Sequence, residues 1–426
     1  MKIIRKKLAN GLKVVMSPMK ETQAVQIEIM VRAGSKYETK SSNGLSHFLE
    51  HMMFKGTKKR PSSKVIAEEL DGVGSEYNAY TGKEATGYWV KVPKKHFSLA
   101  LDVVSDLYLN SLFKKEDIEK ERGVILQEMA MYQDIPQQFV WDIFEELLYG
   151  NQPAGWKIIG TEKNIQQITQ QDFINYKKNF YTAPSTVVVI SGNFSPEKAF
   201  QEVKHIFGKM ERKQAPQKKK VIEKQNFPGL KIFAKETDQT HLILGFRAFD
   251  MFSPKRYIAS VLASVLGGGM SSRLFLSIRE KYGLAYYVGA GTEKYTDSGF
   301  FCAYAGVEHS KLEKTLNIIL DEINRLKKEK ISVKELTKVK ESLRGKVLMD
   351  FESTEEISSF LGTQELLKGK ATDQMEILKQ IDRVTASQLQ NIANEIFLPN
   401  KMNLALIGPH QNRKTIFKKI LTSNLK

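Results

Sequence analysis

Val25, Ile27, Ile29 and Val31 alternate with Gln26, Glu28, Met30 and Arg32, the two-residue period of a strand with one face on a core. Leu45, Phe48, Leu49 and Met52 then recur at the three- and four-residue spacing of a short amphipathic helix, which Asn43 or Ser42 is placed to cap. A second helix is expected over residues 63–70. Residues 76–81 and 87–92 read as strands paired across a turn containing Gly82. Phe97, Leu101, Val104 and Tyr108 return to helical spacing, and a long helical stretch is expected from 115 to 148. A helix over 167–178, a strand over 186–192 and a helix over 196–207 complete the first half.

The same order comes back downstream. A strand over 242–246, helices over 258–266 and 273–281, strands over 284–290 and 300–305, helices over 312–326 and 333–348 and a strand over 402–407 are expected. Phe180-Tyr181-Thr182-Ala183-Pro184 leading to Val187-Val188-Val189 resembles Phe397-Leu398-Pro399-Asn400 leading to Leu404-Ala405-Leu406. The pattern predicts an α+β protein of two homologous domains, each an antiparallel sheet backed by helices. Their expected limits are 1–212 and 229–426, joined by a basic linker, 213–228, that contains Lys218-Lys219-Lys220. A chain of 426 residues is long for one core and suits two.

Composition narrows the function classes. With 41% hydrophobic and 27% charged residues the chain is an ordinary globular one. No apolar run approaches the roughly 18 residues that cross a bilayer, so no membrane partner is expected. Met1-Lys2-Ile3-Ile4-Arg5-Lys6-Lys7 is followed by no apolar segment, so no secretion signal is expected. A single cysteine, Cys302, excludes an internal disulfide and fits a reducing compartment, the cytoplasm. The net charge of +17 invites a polyanion-binding reading, which predicts salt-sensitive binding to nucleic acid. The lysines are scattered, however, and no aromatic-interleaved strand or recognition helix accompanies their densest cluster in the linker. No nucleic-acid partner is expected.

The chemistry concentrates in His47-Phe48-Leu49-Glu50-His51. On a helix, histidines four apart lie about 40° apart around the axis and about 6 Å apart along it, so both imidazoles can reach one ion. H-x-x-E-H is the inverted zincin order, in which two neutral imidazoles bind zinc and the glutamate, here Glu50, moves protons. A hydrolytic zinc site needs a third protein ligand. Glu121 and Glu128, two turns apart on a helical stretch, share a face, and one could ligate while the other supports it. The residues themselves leave that choice open. In the second half the corresponding stretch, Ser272-Arg273-Leu274-Phe275-Leu276-Ser277, has neither imidazole nor carboxylate, so one Zn2+ per chain is expected.

Taken together these motifs resemble the M16 (pitrilysin) family of zinc peptidases, and within it the mitochondrial processing peptidase β-subunit and its bacterial relatives, over nearly the whole chain. The resemblance implies that Glu128 is the third ligand and Glu121 the acid that supports the site alongside Glu50. It implies that Asn78 and Ala79, in Asn78-Ala79-Tyr80-Thr81, lie on an edge strand that takes the substrate backbone as an extra strand. Gly267-Gly268-Gly269 resembles the family's glycine-rich loop, and Arg279 and Tyr286 match a pair that grips substrate. Where processing peptidases use two acids to read an arginine near the cleavage site, this chain has Gln138 and Asp142, so Asp142 alone is left as a substrate-binding acid. The implied activity is a zinc-dependent metalloendopeptidase acting on unfolded peptides or presequence-like segments in a chamber between two domains, in a homodimer. The rival within the same family is a non-catalytic partner subunit.

Overall fold

The structure is a computed structural model, and it describes residues 1–423. Among the described residues the strands fall into two sheets. The first holds β1 (Ile4–Lys7), β2 (Lys13–Pro18), β3 (Ala24–Val31), β4 (Glu76–Thr81), β5 (Thr86–Pro93) and β6 (Thr186–Gly192), in the order β1-β2-β6-β3-β5-β4. The second holds β7 (Gly229–Ala234), β8 (Thr240–Arg247), β9 (Ala285–Lys294), β10 (Gly299–Val307) and β11 (Met402–Gly408), in the order β7-β11-β8-β10-β9. Remove β1 and the two orders superimpose strand for strand, which is the expected duplication. Each sheet is antiparallel except for one parallel pair, β2 with β6 and β7 with β11. The strands β1, β2 and β7 escaped the pattern because none of them alternates cleanly.

Both faces of each sheet are covered. On the first sheet Val25, Ile27, Ile29 and Val31 of β3 pack with Phe48, Leu49 and Met52 and with Leu101 and Val104 of the Phe97–Asn110 helix. Met30, Val187 and Val189 point the other way, onto Ile357 and Leu361 of the Thr354–Thr363 helix. Burial on both sides explains why β6 reads Val187-Val188-Val189-Ile190 rather than as an alternation.

That second covering layer changes the domain bookkeeping. One compact unit comprises Met1–Met129, Trp156–Lys219 and Leu348–Gln374; the other comprises Ala130–Gly155, Lys220–Val347 and the chain from Met375 onward. The units are therefore discontinuous, unlike the contiguous division at 212 and 229. The Pro136–Tyr149 helix covers the second sheet, where Phe139, Ile143 and Phe144 pack on Ile243, Phe300 and Ala405. Gly245 of β8 makes room for it, since a Cβ there would lie 2.4 Å from the Phe144 ring. The expected single helix over 115–148 is accordingly two, Lys115–Gln133 and Pro136–Tyr149. Pro136 opens the second, where its missing N–H costs nothing, and it disfavours helical geometry at Ile135.

The histidine helix runs Leu45–Met53, and its cap differs from the expected Asn43 or Ser42 side chain. Gly44 is the first flanking residue, at φ 102°, and the buried Glu38 carboxylate does the capping. It accepts from Gly44 N at 2.9 Å, Ser46 N at 2.7 Å and Asn43 Nδ2 at 3.0 Å. Burial raises the Glu38 pKa while these donors oppose the rise. Glu38→Ala strands the Gly44 and Ser46 amides at the start of the helix, while Asn43 Nδ2 keeps its bond to Lys157 O, and we expect it to cost about 2–4 kcal/mol by the scale of unsatisfied buried groups. Urea unfolding of the metal-free protein measures this, and a loss below about 0.5 kcal/mol, within the scatter of neutral surface substitutions, would show that the carboxylate is dispensable.

Candidate metal centre

Burial of Leu45, Phe48, Leu49, Met52 and Met53 turns His47, Glu50 and His51 to the one remaining face of their helix. The Lys115–Gln133 helix buries Ile118, Glu121 and Ile125, and Glu128 continues the same stripe two turns beyond Glu121. Packing these two helices against one core brings the side chains together. His47 Nε2 lies 3.7 Å from Glu128 Oε1, and His51 Nε2 lies 3.5 Å from Glu128 Oε2. Among the described residues these three form the one group of histidine, cysteine and acidic side chains close enough to share an ion.

Those separations are long for hydrogen bonds. They are close to the spacing of about 3.4 Å expected for two donors bound tetrahedrally to zinc at about 2.0–2.2 Å. Glu128 Oε2 and His47 Nδ1 are moreover buried without a hydrogen-bond partner. A donor set of two imidazole nitrogens and a carboxylate, whose ligand atoms all lie within 4.8 Å of one another, fits zinc.

The surrounding groups prepare these donors. Burial, reinforced by the neighbouring His51, drives the His47 pKa down to about 3, so its imidazole is neutral and ready to ligate at neutral pH. His51 Nδ1 lies 3.1 Å from Glu121 Oε2, which leaves Nε2 as the ligating atom. Glu121 resists protonation despite its burial, because hydrogen bonds from His51 and Lys55 stabilise its charged form. Lys55 Nζ is 2.5 Å from Glu121 Oε1. Glu50 Oε2 accepts a 2.5 Å hydrogen bond from Thr81 Oγ1, and burial raises the Glu50 pKa while that hydrogen bond opposes the rise.

Lys55 and Thr81, which touch Glu121 and Glu50, are neighbours of the candidate site that the motif reading missed. Lys55 carried a signal, since it follows His51 by one helical turn; Thr81 carried one only through its place after Asn78-Ala79-Tyr80. Lys55→Met leaves one Glu121 oxygen without its cation, and we expect zinc affinity to fall about tenfold, the lower range for loss of a supporting partner. Competition with a chromogenic chelator reads this directly; unchanged affinity would remove Lys55 from the site.

Asn78 and Ala79 lie on β4, the edge strand of the first sheet. The Asn78 side chain accepts from the Ala79 N–H at 2.8 Å, so a peptide adding at that edge must displace a side chain rather than meet bare backbone. Arg279, Tyr286 and Asp142 belong to the other compact unit. Arg279 sits on the Phe275–Glu280 segment with its guanidinium 5.1 Å from the Phe275 ring centre, and Tyr286, near the start of β9, is 76% exposed. Asp142 is on the Pro136–Tyr149 helix, one turn after Gln138. In the stretch matching the histidine helix, Arg273 makes a two-pronged ion pair with Glu335, both bonds 2.8 Å. Lys346 donates to Gly268 O at 3.2 Å. Gly267 ends its helix against β9, where a Cβ would lie 2.2 Å from Ala290 N.

The profile described as "Insulinase (Peptidase family M16)" matches residues 13–162, and "Peptidase M16 inactive domain" matches residues 167–343. An uncharacterized zinc protease of Bacillus subtilis is 36% identical over 404 residues, 95% of this chain and 97% of its own. One from Rickettsia felis is 37% identical over 408 residues, 96% and 98% of the two chains. The chain belongs to peptidase family M16. The fold of this M16 chain matches that of a Helicobacter pylori protease, with a TM-score of 0.90 at 23% identity over 96% of this chain and 99% of the other. It also matches a Pseudomonas fluorescens structure described as a peptidase M16 inactive domain, with a TM-score of 0.88 at 21% identity over 96% and 98%. Among the described residues no helix is long and apolar enough to cross a membrane.

Proposed function

We propose that this M16 chain is a zinc-dependent metalloendopeptidase acting on extended, unfolded peptides, with one Zn2+ held by His47, His51 and Glu128. The observation that carries the reading is the pair of 3.5 and 3.7 Å separations between Glu128 and the two imidazoles, with Glu121 behind His51. Bound there, zinc would supply a Lewis acid for the scissile carbonyl and would lower the pKa of a bound water. Glu50 accepts the proton of the attacking water and returns it to the leaving amine, while Thr81 fixes which carboxylate oxygen does so. The peptide adds its backbone to the edge of β4 at Asn78 and Ala79.

A cavity of about 290 Å3 lined by Phe54, Ser63, Ile66, Ala67, Tyr77 and Asn78 opens on that same strand. Its lining takes an apolar substrate side chain. We propose further that Arg279, Tyr286 and Asp142 bind the peptide and that the chain works as a homodimer in the cytoplasm. The neutral Gln138 beside Asp142 leaves no acid pair, so cleavage is not expected to follow an arginine rule strictly.

The test is digestion of a random peptide mixture by the zinc-loaded full chain, with products read by mass spectrometry. We expect chelator-sensitive cleavage with apolar residues enriched at one position beside the cut. Zinc binding at one equivalent with no hydrolysis would instead assign the chain to the non-catalytic members of the family.

A further inference from the structure

Strand β4 ends its sheet, so the ladder holds it from one side, by β5 alone. Yet two tasks in the proposed reaction fall on it: presenting Asn78 and Ala79 to the peptide, and holding Glu50 through Thr81. A strand alternates its side chains, so Tyr80 points to the opposite face from Thr81. There the Tyr80 hydroxyl donates to Glu28 Oε1 of β3 at 2.8 Å. Tyr80 reaches β3 by lying across β5, where its register partner is Gly87. A Cβ on Gly87 would come within 2.6 Å of the Tyr80 ring, so the missing side chain is what opens the path. Glu28 is 1% exposed, and its second oxygen is buried without a hydrogen-bond partner. A carboxyl placed in that position costs stability, and the Tyr80 hydroxyl is the side-chain donor that offsets part of the cost.

We propose that Tyr80, Gly87 and Glu28 form a latch on the back of the sheet, and that Tyr80 is a positioning residue that fixes β4 for substrate. With Tyr80 tied to β3 from behind and Thr81 tied to Glu50 in front, consecutive residues pin the edge strand from both faces. The inference rests on the peptidase reading for its effect on substrate, but the latch itself is measurable without turnover.

Tyr80→Phe removes the hydroxyl alone, Glu28→Leu removes the acceptor, and Glu28→Gln keeps an acceptor of the same shape. In the zinc-loaded full chain, we expect Tyr80→Phe and Glu28→Leu to raise KM about tenfold, the equivalent of one well-placed hydrogen bond. Because the Thr81–Glu50 bond is separate from the latch and stays in place, kcat and zinc content should stay within about twofold, and Glu28→Gln should restore KM. Hydrogen exchange should quicken at the amides of 77–81 in the first two variants while the rest of the sheet holds its protection. Unchanged exchange and KM in both would overturn the latch. So would quickening across the whole sheet with loss of zinc, which marks a merely structural bond. If the wild-type chain cleaves no peptide, the peptidase reading falls, and exchange at 77–81 alone decides the latch.

Discussion

Glu50→Gln is expected to keep zinc and abolish peptide hydrolysis, lowering kcat by about 10^2–10^4-fold, the range for loss of a general base. The substitution conserves shape. A glutamine oxygen still accepts from Thr81 Oγ1, so the histidine helix and β4 keep their geometry. What is lost is the capacity to take a proton from water, since an amide is not protonated at neutral pH. None of the ligand atoms belongs to Glu50, so metal analysis of the purified variant should return the wild-type zinc content. Hydrolysis within twofold of wild type would place the proton transfer elsewhere and remove Glu50 from its role.

The second large effect separates the two glutamates that the residues themselves left open. Glu128→Gln removes a carboxylate, the proposed third ligand, whose oxygens face both imidazoles, and zinc should be lost on dialysis, with activity falling in step. Glu121→Gln leaves all three ligand atoms in place and loosens only the orientation of His51, which should weaken zinc by about 10–100-fold and leave activity recoverable at saturating zinc. The contrast lies in rescue. If excess zinc restores Glu128→Gln as fully as Glu121→Gln, the ligand assignment is wrong; if neither variant changes zinc affinity, the metal centre lies elsewhere.

Much of this arrangement was legible from local pattern. The strands at 25–31, 87–92, 186–192 and 402–407 and the helical spacing in 45–52 and 97–108 all appear where the pattern places them, but the one-faced burial expected of 25–31 does not: Gln26, Glu28 and Met30 are buried as well, because a second layer covers the other face of that sheet. The continuous helix expected over 115–148 failed at Pro136, a breaker visible in the chain but outweighed by helical spacing on either side. The histidine helix takes its cap from Glu38, six residues before Gly44, beyond the window in which caps are sought.

By itself the sequence determined the two imidazoles and Glu50 on one helical turn, because helix geometry alone sets residues four apart on one face. It also determined that a second half built alike carries no such turn. Tertiary structure decided the rest. His51 and Glu121 are 70 residues apart in the chain, and no local rule states that their helices pack so that one carboxylate stands between two rings and another behind one of them. The same holds for Thr81 against Glu50, Lys55 against Glu121 and Tyr80 against Glu28, and for the two helices that each cover the sheet belonging to the other half of the sequence. Periodicity reports which face of an element is buried; which partner buries it is settled only when the layers close around their cores.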